Sequence, residues 1–147
     1  MDQYNALSAY RETRVKTAGQ GQLIVMLYDG AIKNLDRALD LLKAEKAGKK
    51  NPANIEIINN AILKAKEIIT ELMVSLDFEK GGEIAKYLFS LYTWFNKELL
   101  EGTIKRDPCR FTVVRNMLSE LKSAWEKAAS ERTAKTEQPA KGLNIAG

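Results

Sequence analysis

Apolar residues recur along this chain at helical rather than strand spacing, in four long runs. The first contains Leu23, Ile24, Leu27, Tyr28, Ala31, Ile32, Leu35, Leu39 and Leu42, with Met26 outside the arc they define. At ~100° per residue these positions sweep roughly half the circumference of a helix, whereas a helix on the surface of a bundle needs a stripe only somewhat wider than ~100°. The second run, Ile58, Ile62, Ala65, Ile69, Leu72 and Leu76, alternates spacings of four and three, the mark of a bundle seam. The third gives Ile84, Leu88, Leu91, Phe95 and Leu99, and the fourth Phe111, Val114, Leu118, Leu121, Trp125 and Ala128. No segment alternates apolar and polar residues for long enough to read as a strand.

Punctuation between the runs sets their limits. Asn51-Pro52 and Asp107-Pro108 each place a capping residue before a proline whose missing N–H costs nothing at the first helical position. Gly81-Gly82 breaks the chain before the third run. The helices are therefore expected over about 20-46, 52-76, 82-105 and 108-130. The short connections force antiparallel neighbours. The predicted fold is all-α, an antiparallel up-down-up-down four-helix bundle spanning 20-130. Residues 1-19 form an N-terminal arm or short helix, and the polar, small residues of 131-147 a flexible tail, with Leu143 and Ile145 its only docking candidates.

Composition removes most chemistry. The chain has 147 residues, enough for one domain, and 45% are apolar. There is no histidine, so imidazole acid–base work, phosphorelay and Glu-x-x-His metal sites are excluded. A single cysteine, Cys109, rules out intrachain disulfides and thiolate zinc sites, and reads as a small buried or half-buried filler. Glu67 and Glu71 share a helical face, but like charges at that spacing belong in water. The formal charge of +4 is mild, and the Lys43, Lys46, Lys49, Lys50 run lies at a helix end without stacking aromatics, so nucleic acid is not an expected partner. No apolar run approaches the ~20 residues of a membrane span, and the polar start suggests a chain that stays in the cytoplasm. Neither metal nor cofactor is expected, and the chain does not read as an enzyme.

Surplus apolar surface is what remains. The third helix carries its seam and, besides it, Tyr87 and Trp94 on one flank and Phe89, Leu100 and Ile104 on the other. Such flanks suit an amphipathic partner helix. They suit equally a self-associating scaffold without chaperone activity, present as monomer or weak homodimer. A partner helix burying ~800 Å² would gain roughly 20 kcal/mol gross, most of it offset by ordering and association entropy, leaving nanomolar to micromolar affinity.

Specific blocks match a known family. They are Ala9-Tyr10-Arg11, Val15-Lys16-Thr17-Ala18, Leu23-Ile24-Val25-Met26-Leu27-Tyr28-Asp29-Gly30-Ala31, Lys64-Ala65-Lys66-Glu67-Ile68-Ile69, Leu76-Asp77 and Gly81-Gly82-Glu83-Ile84-Ala85. Leu88, Leu91-Tyr92, Asn96, Leu99-Leu100, Ile104-Lys105 and Trp125 continue the match. In this order and spacing the chain resembles the flagellar export chaperones of the FliS family. The resemblance implies a bundle that holds the C-terminal segment of flagellin as short helices in apolar grooves, prevents early polymerisation, and delivers flagellin to the flagellar type III export gate. It leaves room for a co-chaperone or regulator. It also implies an N-terminal gate, which falls here to Leu7 and Tyr10. Helical geometry combined with the resemblance places the groove on Ile24, Leu27, Tyr28 and Ile32 of the first helix and Tyr87, Leu91 and Trp94 of the third. Two departures stand out. Gly19-Gln20 replace the family's usual Ser-Pro before the first helix, and Trp94-Phe95-Asn96-Lys97-Glu98 replaces Tyr-Met and two arginines, turning one positive charge negative at Glu98.

Overall fold

The computed structural model describes residues 20–137, all of them in helices or the short links between helices. The expectations for the arm and gate residues Leu7 and Tyr10, and for Leu143 and Ile145, lie outside the described residues. Helix α1 spans Gln20–Lys46, α2 Ala53–Val74, α3 Phe78–Lys105 and α4 Pro108–Glu137. The chain divides into two compact units. Leu27–Ser119 holds most of α1, all of α2 and α3 and the first part of α4. The other unit comprises Met1–Met26 and Glu120–Gly147, and within it Gly21 approaches Ala129 closely enough that an added Cβ would sit 3.5 Å from the alanine methyl.

Within Leu27–Ser119 the helices alternate in direction. Gly30 of α1 lies against Ile68 of α2, Thr70 of α2 meets Asn96 of α3, Glu98 of α3 meets Arg110 of α4, and Arg115 of α4 reaches back to Asp36 of α1. This closes a four-helix bundle. The caps follow local chemistry. Asn51 Oδ1 accepts from the Ala53 N–H at 3.0 Å, with Pro52 just ahead of α2 and already helical at φ −54 and ψ −30, and Asp107 Oδ1 accepts from the Cys109 N–H at 3.2 Å, with Pro108 the first residue of α4. Asp77 Oδ1 accepts from both the Glu79 and Lys80 N–H groups at 3.0 Å. That third cap starts a turn at Phe78, ahead of the start expected at Gly82. The glycine break is nonetheless present, because Gly82 has φ 50 and ψ −125 and interrupts the helical backbone at that point.

The core differs in detail from the sequence pattern. On α3 the buried seam is Ala85, Leu88, Tyr92, Phe95, Leu99 and Gly102, whereas Ile84 is 70% exposed and Leu91 half-buried. The aromatic residue wins over its aliphatic neighbour because its hydroxyl finds a buried partner in Tyr28. Gly102 belongs to the seam because nothing larger fits, a Cβ there falling 2.7 Å from the Phe111 ring. Glu71 is buried rather than solvated, Cys109 and Ala128 are exposed, and Leu76, Leu121 and Trp125 are half-buried.

Burial, and then the neighbouring Tyr28 hydroxyl, raise the Tyr92 phenol well above its ordinary range. The unfolded chain releases this proton near pH ~10 while the folded chain keeps it, so stability is full below that pH and falls as pH rises beyond it. Urea midpoints measured from about pH 9 to about 11 should therefore decline more steeply for the native chain than for Tyr92→Phe. Parallel declines would show that this phenol does not carry the alkaline sensitivity.

Candidate partner-binding surface

The surface chemistry of the bundle concentrates on α3. Outside its seam, Ile84, Tyr87, Phe89, Trp94, Leu100 and Ile104 are all exposed. Tyr87, Leu91 and Trp94 follow one another at spacings of four and three and form one edge of the helix. The same line continues through Glu98 and Glu101, which pair with Arg110, so this edge turns towards α4. Phe89, Asn96 and Leu100 lie on the opposite edge, and the bond from Asn96 Nδ2 to Thr70 Oγ1 at 3.1 Å shows that this edge turns towards α2. Phe78 meets Phe89 edge-on at 6.0 Å, and exposed Val74 closes α2 beside the same connection.

Two polar features bound these edges. Arg110 Nη1 donates to Glu98 at 2.9 and 3.1 Å and to Glu101 Oε2 at 3.0 Å, while its Nε lies 3.4 Å from Asp107 Oδ2. All four groups are partly shielded from water. The carboxylate at Glu98 is thus held by an arginine from α4, but that one guanidinium also serves Glu101 and Asp107, so the cluster stays net acidic at the edge of the tyrosine–tryptophan stripe. Asn96 spends its amide N–H on Thr70, and its Oδ1 is buried without a partner.

The groove residues expected from the sequence separate into two groups. Tyr87 is 65% exposed and Trp94 39%, with Leu91 half-buried between them. Trp94 also leans on Phe95 of the core at 5.9 Å, which limits its freedom before any partner arrives. Leu27, Tyr28 and Ile32 are instead buried at 2%, 0% and 7% exposure. They form packed support in this structure, and the wide apolar arc of α1 is largely covered inside the fold. Ile24 is half-buried in the other unit. Phe78, Phe89, Leu100 and Ile104 are further exposed apolar residues of α3. Their signal was the second off-seam row on the third helix, which the first helix's broader arc overshadowed.

No metal-binding group of three or more His, Cys, Asp or Glu side chains occurs among the described residues, and no described helix is long and apolar enough to cross a membrane.

Residues 3–132 match the family model described as flagellar protein FliS. The chain belongs to the FliS family. It is 36% identical over 117 residues to the flagellar secretion chaperone FliS of Salmonella typhimurium, covering 79% of this chain and 81% of that protein. It is 30% identical over 130 residues to the FliS chaperone of Vibrio cholerae, with 86% and 90% covered, and 28% identical over 129 residues to that of Bacillus subtilis, with 87% and 90% covered. The Leu-Tyr-Asp-Gly and Gly-Gly-Glu-Ile-Ala blocks of a FliS chain therefore build, respectively, the buried tyrosine contact and the kinked start of α3 in this structure.

Removing Arg110 leaves Glu98 and Glu101 one turn apart and partly shielded from water. Arg110→Ala should cost about 1–3 kcal/mol in urea unfolding at neutral pH. A loss below about 0.5 kcal/mol would mark the cluster as an ordinary solvated pair.

Proposed function

We propose that this chain is a cytoplasmic flagellar export chaperone whose α3 edges receive the C-terminal segment of flagellin. The segment lies along the bundle as short amphipathic helices, is thereby kept from polymerising early, and is handed to the flagellar type III export apparatus. Its supports are the FliS membership and one physical observation, the exposure of Tyr87, Phe89, Trp94, Leu100 and Ile104 on a helix whose core stripe is already complete. A single amphipathic helix laid on either edge would cover such residues, and flexible apolar segments are the ligands that gain most from them. The N-terminal gate that the family resemblance assigns to Leu7 and Tyr10 belongs to this reading. Binding of a client, with no chemistry performed on it, is the activity.

The test is calorimetric titration of the full chain with the C-terminal segment of flagellin. Saturable binding at or below about 10 μM is expected. Tyr87→Ser and Trp94→Ala should each weaken it about 10- to 100-fold while changing unfolding stability by no more than about 0.5 kcal/mol. Leu27→Ala should instead lower stability by about 2–5 kcal/mol, as a core residue does. Absence of saturable binding at about 50 μM, with a tight dimer in sedimentation that persists when the segment is present, would replace this reading with that of a self-associating module.

A further inference from the structure

The α1–α2 and α3–α4 connections lie at the same end of the Leu27–Ser119 unit, and between them opens a cavity of about 320 Å³. It shares no residue with the exposed edges of α3. Leu42, Ile55, Ile58 and Phe111 form its apolar walls. The volume is at the low end of pockets that hold small ligands and accommodates one large apolar side chain with its immediate neighbours.

The rim is basic. Lys43 and Lys46 stand in the last turn of α1, Lys49 and Lys50 in the connection that follows, and Lys105 and Arg106 at the end of α3. All six are exposed. Among the described residues only Lys105 has an acidic partner, Glu101 at 4.0 Å, and that carboxylate is already engaged by Arg110 at 3.0 Å. The last-turn lysines offset the negative ends of their helices, but this accounts for neither Lys49, Lys50 nor Arg106.

Arg106 adds an independent observation. It has φ 53 and ψ 50 and is the only described non-glycine residue with positive φ. Glycine or asparagine normally takes this position after a helix. The capping bond from its backbone N–H to the Gly102 carbonyl would form with glycine equally well. What an arginine contributes in place of glycine is its side chain, and it stands at a residue that lines the cavity.

We propose that this end of the bundle is a second docking site, for a segment of a partner protein that inserts one large apolar side chain into the cavity and lays acidic residues against Lys46, Lys49, Lys50 and Arg106. Charge complementarity and a recessed apolar floor select this occupant. A nucleic acid would need exposed stacking aromatics, and the one aromatic of the cavity, Phe111, is buried. A membrane surface would favour projecting apolar side chains, whereas Ile58 and Phe111 at the floor are buried.

The experiment is an amide chemical-shift titration of the full chain with a twelve-residue peptide carrying one central phenylalanine between aspartates and glutamates. Shifts confined to residues 42–59 and 102–111 are expected, weakening as salt is added. A peptide with alanine for phenylalanine should bind at least about tenfold more weakly. Asn59→Trp, which fills the cavity from an exposed position, should reduce affinity by a similar factor. Arg106→Gly should weaken the peptide while leaving the melting temperature equal or higher, a combination a purely structural arginine would not produce. Binding of the flagellin segment should be unchanged by either variant. The proposal is overturned by no shift at the connector end, by equal binding of the alanine peptide, or by larger shifts there with single-stranded DNA or anionic phosphatidylglycerol vesicles.

Discussion

A helix has a fixed circumference, and on α3 more apolar residues compete for it than one buried stripe can hold. The seam from Ala85 to Gly102 takes the inward face at alternating spacings of three and four. Tyr87 and Trp94 then fall to one side of it, and Phe89 and Leu100 to the other. Rotating α3 to bury either set would expose Tyr92, Phe95 and Leu99, the bulkiest residues of the present seam. Burying an aromatic or leucine side chain is worth about 1.5–3 kcal/mol, so the seam prevails and both edges stay in water. The exposed apolar surface that the proposed client would cover follows from this competition.

The neighbouring helices fix the competition in place. The Tyr28–Tyr92 contact sets the rotation of α3 against α1, because an unmatched buried hydroxyl would cost more than the bond returns. Gly102 lets the Phe111 ring approach α3 with no room for a side chain, and Arg110 gathers Glu98 and Glu101 beside it. At the other end of α3, Gly82 separates the turn capped by Asp77 from the helix that carries the edges. The edges are thus presented by a helix held at several points along its length, so that little ordering of the chaperone itself is required when a client binds.

Most of this architecture is legible in the sequence. Proline after Asn51 and Asp107, the paired glycines and the spacing of four and three place four helices and their alternation. The start of α3 is less legible, since the Asp77 cap and a glycine with positive φ produce a kinked turn that pattern alone cannot separate from a link. The choice of Tyr92 over Leu91 is not legible either, because it depends on a hydroxyl partner supplied 64 positions earlier. For the same reason the burial of the α1 arc is not legible in its own sequence. A wide apolar arc states how much of a helix avoids water, while the source of its cover depends on the other helices. There the fold buries Leu27, Tyr28 and Ile32, and on α3 the surplus remains exposed.

The most direct test of that surplus uses Trp94 as the only tryptophan, in a Trp125→Phe chain. Acrylamide quenching of Trp94 is measured with and without the C-terminal segment of flagellin at saturation. The account predicts a marked fall in quenching as the client covers this edge of α3. Unchanged quenching, with the segment shown to be bound by calorimetry, would contradict it.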